Sequence, residues 1–331
     1  MNKMVIGIAA SVALLTGAWS GEAPGKTVYN LTLCGASPGG LWSLLGAGID
    51  AAVKTSYPGS TITYQTSGGG FANIGLLQKN KCDLAIVHDA EAIAAANGKK
   101  PFKSPITNLR TVAVLYTWAP MQFIMNKDFA DKYGIKSMED LVATKAPVRI
   151  LLNKRGNVAS SIGEAMLAAA GAKVSDIKSW GGGVTFAASK EQGELMRDRR
   201  ADAILNSLFI NHRSIRQLAD GIDLSLLPIS AATAKTVTTQ WKIGNFTIPA
   251  SAYKWVGQDI QTVSLSAQLF VLDSANKKMV SDISQALVDN VDKLSGAHKA
   301  MKPLTTKLMS SGSAVAYHSS ADAVYKAAGL R

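Results

Sequence analysis

Two hydrophobic periods alternate along most of the chain. Short apolar and β-branched runs have the period of a strand, and the segments between them place apolar side chains on one face of a helix, as in Leu41–Ser56. Strands that alternate with helices predict an α/β protein with mainly parallel sheets. The predicted strands are 28–34, 61–66, 84–87, 148–152, 203–205 and 224–229, and the predicted helices are Leu41–Ser56, 71–78, 90–96, 160–170, 189–200 and 211–219.

Two longer β-like runs interrupt this alternation, at 110–126 and 261–272. We interpret the first as a run broken by Pro120 that leaves one lobe and enters another, and the second as the return. The chain is therefore predicted to form two doubly wound α/β lobes with a ligand cleft between them. Lobe 1 is assigned residues 21–119 and 265–331, and lobe 2 residues 120–264, with hinge motion near 118–120 and 263–264.

The composition agrees with a folded protein of about two domains. The chain has 331 residues, of which 47% are hydrophobic and 18% are charged. Its net charge is +12, but the basic residues are scattered and form no tract with interleaved aromatic residues, so no nucleic-acid partner is predicted. Two explanations of the charge stay open: a field that attracts small anions, or an ordinary solvated surface.

The first twenty residues have the pattern of a secretory signal peptide. Lys3 supplies the positive start, residues 4–15 form an apolar run, and Ala18 and Ser20 are small residues two apart. The run is short for a membrane span, and no cysteine follows it for lipid attachment. We expect cleavage after Ser20 and a soluble, unanchored periplasmic protein.

The two cysteines and four histidines show no spacing typical of a metal site, so neither a metal nor another cofactor is predicted. An exported protein would usually pair Cys34 with Cys82. In the strand order 2-1-3, however, Cys34 ends one strand and Cys82 precedes its parallel neighbour, a separation on the order of 15 Å. We therefore predict two unpaired thiols; the alternative is that the first strand pairs differently.

One short motif suggests an enzyme. Residues 35–39 match G-x-S-x-G, with Ser37 between a strand and a helix, as in a hydrolase nucleophile elbow. The residue after the nucleophile normally donates its backbone N–H to the oxyanion, and Pro38 has none. We predict that the protein is not an enzyme, with an exported serine hydrolase using Ser37 as the alternative.

Three loops rich in small residues each follow a predicted strand and precede a helix: 35–40 (GASPGG), 67–70 (SGGG) and 153–161 (NKRGNVASS). Such loops lie at the carboxyl ends of parallel strands, where α/β proteins bind ligands, and helix N-termini favour anions. We predict that they face one cleft; ordinary turns are the alternative. The candidate ligand-binding residues are Ser37, Gly39, Trp42, Ser67, Gly68, Gly69, Asn73, His88, Asp89, Asn157, Ser160, Ser161 and Asn206.

Two of these candidates have competing interpretations. His88, after the third strand, either meets an anionic ligand or makes a local hydrogen bond at the rim. Trp42, at the start of the first helix, either forms a wall of the cleft or packs in the core. The sequence does not decide between the two interpretations of either residue.

The loops and their order resemble those of the solute receptors of tripartite ATP-independent periplasmic (TRAP) transporters, in the TAXI subfamily. The stretch 66–77 (TSGGGFANIGLL), with Asn73, is similar to that subfamily's second conserved loop, and 81–87 is similar to the stretch that follows it. Weaker similarities run through 109–116, 134–141, 156–171, 262–271 and the C-terminal Tyr317-His318. The chain departs from the pattern at Cys34 and Ala36, and His88 replaces a glutamine.

The resemblance implies a type II periplasmic-binding-protein fold. It also implies a receptor that carries a small anionic solute, such as an organic acid or acidic amino acid, to membrane permease subunits driven by an ion gradient. A monomer is expected. A receptor of the same fold that serves an ATP-driven (ABC) permease or a sensor is the remaining alternative.

Overall fold

The computed structural model describes Met1 and residues 27–331. The predicted signal peptide, 1–20, lies outside the described residues apart from Met1. Within the described part of the chain, no helix is both long enough and apolar enough to cross a membrane.

Ten strands and fourteen α-helices alternate along the described chain, with two short 3-10 segments at Ala250–Ala252 and Lys299–Met301. The strands are β1 Asn30–Cys34, β2 Thr61–Gln65, β3 Leu84–His88, β4 Leu109–Asn126, β5 Arg149–Leu152, β6 Gly183–Phe186, β7 Ala203–Ser207, β8 Leu224–Leu227, β9 Gly244–Ile248 and β10 Ile260–Leu272. The helices are α1 Leu41–Ser56, α2 Gly70–Gln78, α3 Asp89–Ala96, α4 Lys127–Tyr133, α5 Met138–Thr144, α6 Val158–Ala169, α7 Val174–Ser179, α8 Ser189–Arg197, α9 Arg213–Ala219, α10 Ala231–Trp241, α11 Lys277–Asp289, α12 Val291–Ser295, α13 Thr306–Met309 and α14 Ser319–Ala327.

The strands form two doubly wound halves on one continuous path, β2-β1-β3-β10-β4-β7-β5-β6. In the first lobe β1 lies between β2 and β3 and is parallel to both, which confirms the order 2-1-3. In the second lobe β5 lies between β6 and β7, again in parallel. The predicted fold, two α/β lobes joined by crossover strands, is confirmed.

The long strands β4 and β10 join the two lobes. The first part of β4 pairs with β10 as far as Pro120, and the rest, from Met121, pairs with β7 and β8. The predicted break at Pro120 is therefore wrong, because β4 continues through this residue. Pro120 lies where β4 changes partner, so the N–H that proline lacks falls at the end of a ladder.

The core of the first lobe follows from its apolar strands. Every residue of β3 is buried, as the continuous apolar pattern predicts for a strand covered on both faces. The C-terminal helix α14 closes this core: Tyr325 is completely buried and its hydroxyl donates to the Val112 carbonyl at 2.9 Å.

The predicted free thiols are wrong, because Cys34 and Cys82 form a disulfide with their Cα atoms 5.8 Å apart. The strand order was correct, but the stagger was not. Cys34 lies level with Ala85, so β3 begins beside the carboxyl end of β1 rather than beside its start. The chain also bends at Asp83, just before β3, so Cys82 lies close to Cys34. Both pack in one small apolar cluster with Ile74 and Leu77.

Candidate functional site

A cleft between the two lobes collects loops from both of them. Its enclosed volume is about 90 Å³, within about 720 Å³ of space that includes the open mouth. The first lobe contributes the loop after β1, the start of α1 and the end of β3; the second contributes the loops after β5 and β7. The lining residues are Ala36, Ser37, Gly40, Leu41, Trp42, Gly68, His88, Tyr116, Ala119, Asn153, Lys154, Asn157, Ala159, Ser189, Ser207, Leu208, Phe209 and His212.

Aromatic side chains form one wall of the cleft. The Trp42 indole N–H donates to the Tyr116 hydroxyl at 2.9 Å, and the Trp42 and His88 rings lie 4.7 Å apart. Tyr116 also packs edge-on against Phe209 of the second lobe, at 4.9 Å between centroids. Burial fixes these rings, so the wall is preorganised.

His212 adds a titratable group to the second-lobe side of the cleft. Its Nδ1 accepts from the Ser214 N–H at 3.2 Å and so caps α9. Burial, together with like-charge repulsion from His298 and Arg216, lowers the pKa of His212 to about 4. His212 is therefore a neutral hydrogen-bonding group at neutral pH.

Positive potential in the cleft comes from two sources. Lys154 is exposed at the lining, and its ammonium group makes no ion pair among the described residues, whereas its neighbour Arg155 pairs with Glu164 at 3.6 Å. The 16-residue helix α1 begins at the lining with Gly40 as its N-cap, which supplies no side-chain cap. A cation and a helix N-terminus both favour an anion.

Five of the thirteen sequence-predicted residues line this cleft: Ser37, Trp42, Gly68, His88 and Asn157. They come from both lobes, so the loops 35–40, 67–70 and 153–161 meet as their positions after strands suggested. His88 also contacts Glu91 at 3.2 Å from its Nδ1, so its local hydrogen bond and its place at the cleft occur together.

The other eight lie outside the lining, and several are engaged within the protein. The Ser67 hydroxyl donates to the Gly35 carbonyl at 2.6 Å, and the buried Asn73 amide donates to the Gly35 and Ile86 carbonyls at 2.9 and 2.8 Å. These two side chains fix the β1 loop from behind. The residues outside the lining are Gly39, Ser67, Gly69, Asn73, Asp89, Ser160, Ser161 and Asn206.

Three more of the residues outside the lining make hydrogen bonds to partners within the protein. Asn206 is completely buried and donates to Ser189 at 3.1 Å and to Gln192 at 2.8 Å. The Ser160 hydroxyl donates to the Asn157 carbonyl at 2.8 Å. Asp89 accepts from the Gln268 amide at 3.0 Å, and burial raises the pKa of Asp89 to about 6. A ligand role for these residues stays a prediction.

Several residues of the cleft were not predicted from the sequence, and the signal that could have identified them differs from one to the next. Phe209 and His212 follow β7 and precede α9, so the rule that selected the other loops applies to them as well. Tyr116 lies in the middle of β4, where every residue from Thr111 to Tyr116 is buried and no pattern separates cleft from core. Lys154 lies within the loop that was selected.

Glycines allow the two lobes to touch beside the cleft. Gly69 has a φ of +120°, and a Cβ there would lie 2.9 Å from the Asn157 Cα and 2.9 Å from the Gly156 carbonyl oxygen. The SGGG loop of the first lobe therefore lies directly against the loop that precedes α6. Its glycines serve close backbone approach rather than ligand contact alone.

We expect the substitution Gly69→Ala to lower the free energy of unfolding by about 1–3 kcal/mol, because an L-residue is strained at this φ and its methyl group meets backbone. Gly75→Ala is the matched control: it lies in α2, with open space around its Cβ position, and should raise stability by roughly 0.5–1 kcal/mol. Urea unfolding of both variants measures the difference. Equal effects would contradict the close lobe contact at Gly69.

The serine-hydrolase alternative finds no support in the geometry. The Ser37 hydroxyl makes no hydrogen bond to a histidine among the described residues, and His88 directs its Nε2 to the Tyr116 hydroxyl, at 3.5 Å. Nor do the described residues contain three His, Cys, Asp or Glu side chains grouped so that they could hold a metal ion.

Two α/β lobes that meet around a cleft and are joined by crossover strands define the architecture of periplasmic binding proteins. The structure is similar to that of MatC from Rhodopseudomonas palustris with bound malate, with a TM-score of 0.56, 16% identity, and coverage of 83% of this chain and 89% of that one. It is also similar to the periplasmic binding protein BugD, with a TM-score of 0.54, 13% identity, and coverage of 82% and 86%.

The family follows from the sequence itself. The NMT1-like family model matches residues 33–329, and the chain belongs to this family. No curated protein sequence matches the chain.

Proposed function

We propose that the protein is a periplasmic solute receptor that binds a small carboxylate in the interlobe cleft. The observation that carries the proposal is that the Lys154 ammonium group, which has no ion pair among residues 27–331, and the N-terminus of α1, which has no side-chain cap, both lie at the same cleft. Together they offer a charge and free backbone N–H groups to one anion. The aromatic wall of Trp42, Tyr116 and Phe209 would cover the apolar part of the solute.

The finer assignment is a receptor of the TAXI type, which delivers its solute to permease subunits of a TRAP transporter driven by an ion gradient. The resemblance of 66–77 to the TAXI loops supports this assignment, and membership of the NMT1-like family is compatible with it. The malate bound to MatC supports an organic acid as the solute. The protein would act as an exported monomer.

Solute binding would close the lobes by a hinge. Lobe 1 would comprise 21–119 and 265–331, and lobe 2 would comprise 120–264, with the hinge near 118–120 and 263–264. The change of partner in β4 between Pro120 and Met121 supports this boundary. A strand that pairs in both lobes can flex where its partners change.

A thermal-shift screen with mono- and dicarboxylates, acidic amino acids and neutral amino acids tests the proposal. A ligand at one hundred times its Kd should add about 2.7 kcal/mol to the free energy of unfolding. Stabilisation by carboxylates, but not by the matching amides, is expected. Stabilisation by neutral compounds only would contradict a carboxylate site.

We expect Lys154→Gln to weaken binding of the carboxylate found in this screen about tenfold, because it removes one charge-assisted contact. Lys235→Gln is the matched control, since it removes the same charge from the exposed surface of α10 in the same lobe. Isothermal titration at two salt concentrations measures both variants. Equal weakening by the two substitutions would show that only net charge matters.

A further inference from the structure

A buried carboxylate joins the two lobes beside the cleft. Glu91 lies in the first turn of α3 in the first lobe and is completely buried. Its Oε1 accepts from the backbone N–H of Val158, the first residue of α6 in the second lobe, at 2.8 Å. Its Oε2 accepts from the backbone N–H of His88 at 3.0 Å. One side chain thus connects α6 to the strand end that carries a lining residue of the cleft.

The surroundings of Glu91 are shaped to hold this carboxylate. A Cβ at Gly70 would overlap its Oε2, so the third glycine of the SGGG loop leaves room for the charge. The positive end of the 12-residue helix α6 stabilises it, and the His88 ring Nδ1 lies 3.2 Å from Oε2. A buried carboxylate is costly unless such partners are in place, so its geometry is tightly specified.

The bond to Val158 completes the N-terminus of α6. The Asn157 side chain accepts from the Ala159 N–H at 2.9 Å, and the Asn157 carbonyl accepts from the Ser160 N–H at 3.1 Å. Both of those acceptors belong to the second lobe. The Val158 N–H is the one first-turn donor of α6 that depends on the first lobe, and separating the lobes would break this bond.

We propose that Glu91 is an interlobe clamp, a positioning residue that holds α6 and His88 in one geometry and favours the closed arrangement of the lobes. The clamp consists of protein atoms alone, so it acts whatever the solute is. It goes beyond the proposed function, because a clamp of this kind sets the balance between open and closed receptor before any solute arrives.

The test removes either end of the bond. Val158→Pro deletes the donor, and proline is favoured at the first position of a helix, where its fixed φ fits. Because the Val158 side chain is also buried, Val158→Ala, which keeps the N–H, serves as the control for lost packing. Glu91→Ala deletes the acceptor, and Glu91→Gln keeps an oxygen for Val158. Small-angle scattering of the solute-free protein, well below its Tm, should show a larger radius of gyration for Val158→Pro and Glu91→Ala, with Glu91→Gln closer to the wild type.

Two matched controls share the chemistry without spanning the lobes. Ala231→Pro places proline at the first position of α10, on an exposed residue. Glu139→Ala removes a carboxylate that accepts from the Ser230 N–H at 3.0 Å and the Thr233 hydroxyl at 2.6 Å, all within the second lobe. Both controls should keep the wild-type radius.

Hydrogen exchange provides a readout that a general loss of stability would not produce. Exchange of the Val158 amide, and of the His88 amide that shares the carboxylate, should become about ten to one hundred times faster in Glu91→Ala, while the amides of residues 85–87 in β3 stay protected. Expansion with this local exchange supports the clamp. An unchanged radius in Val158→Pro, or equal expansion in the controls, overturns it. Because no solute is used, failure here is distinguishable from failure of the carboxylate proposal.

Discussion

Removing the Cys34–Cys82 disulfide lowers the free energy of unfolding by about 4 kcal/mol, the value expected when a bridge closes a loop of about fifty residues. The two cysteines are separated by 48 positions and together enclose α1, β2 and α2. Without the bridge, the unfolded chain regains the freedom of this whole segment. In the folded protein both sulfurs are buried, so their apolar packing is lost as well in an alanine variant.

Urea unfolding of the wild type and of the double variant Cys34→Ala/Cys82→Ala measures this effect. A reductant should destabilise the wild type. It should leave the double variant unchanged, because that variant has no disulfide, so the double variant controls for other effects of the reductant. Alkylation of the unreduced protein followed by mass spectrometry should add no alkyl group. Addition of two alkyl groups would show that the thiols are free and would remove the basis of the expected loss.

The disulfide also shows what the sequence could and could not predict about the fold. The order of β2, β1 and β3 was taken from the usual doubly wound arrangement of alternating strands and helices, and it was predicted correctly. The stagger between β1 and β3 depends on how the chain leaves α2, and no hydrophobic pattern encodes that. The unpredicted stagger, together with the bend at Asp83 before β3, was enough to separate two bonded cysteines in the prediction.

The same limit applies to the cleft. The rule that ligands meet loops at the carboxyl ends of parallel strands predicted which segments converge, including Ser37 and Asn157. It could not predict side-chain direction within a loop. Ser67 and Asn73 turn inward because the Gly35 carbonyl needs donors, and those bonds follow from three-dimensional proximity.

No pattern in the sequence identified Glu91 as a buried residue that contacts the other lobe. It occupies a helix position that would suit an ordinary exposed acidic residue of a first turn. Only the approach of α6 from the other lobe makes it a buried group. Contacts between lobes join segments distant in sequence, so local pattern carries no information about them, and these are the contacts on which closure depends.

Two groups beside the cleft are expected to respond to acid in opposite ways. Burial lowers the pKa of His212 from 6.5 to about 4, so the unfolded chain takes up this proton before the folded protein does. Stability from His212 is therefore present above pH 6.5 and is lost as the pH falls, by about 3 kcal/mol at pH 4. Burial raises the pKa of Asp89 from 3.8 to about 6, so Asp89 adds stability over the same interval, about 2 kcal/mol.

In the wild type, the contributions of His212 and Asp89 to the pH dependence of stability should therefore largely cancel. Single variants should separate them. His212→Asn keeps an acceptor for the Ser214 N–H, because asparagine is a good N-cap, and should gain stability relative to the wild type between pH 7 and pH 4. Asp89→Asn keeps an acceptor for Gln268 and should lose stability over the same range. Urea unfolding at closely spaced pH values measures both slopes, and the double variant controls for the rest of the chain. Parallel curves for the wild type and both single variants would show that neither group is held away from its ordinary pKa, and the cleft would then be far better hydrated than its packing implies.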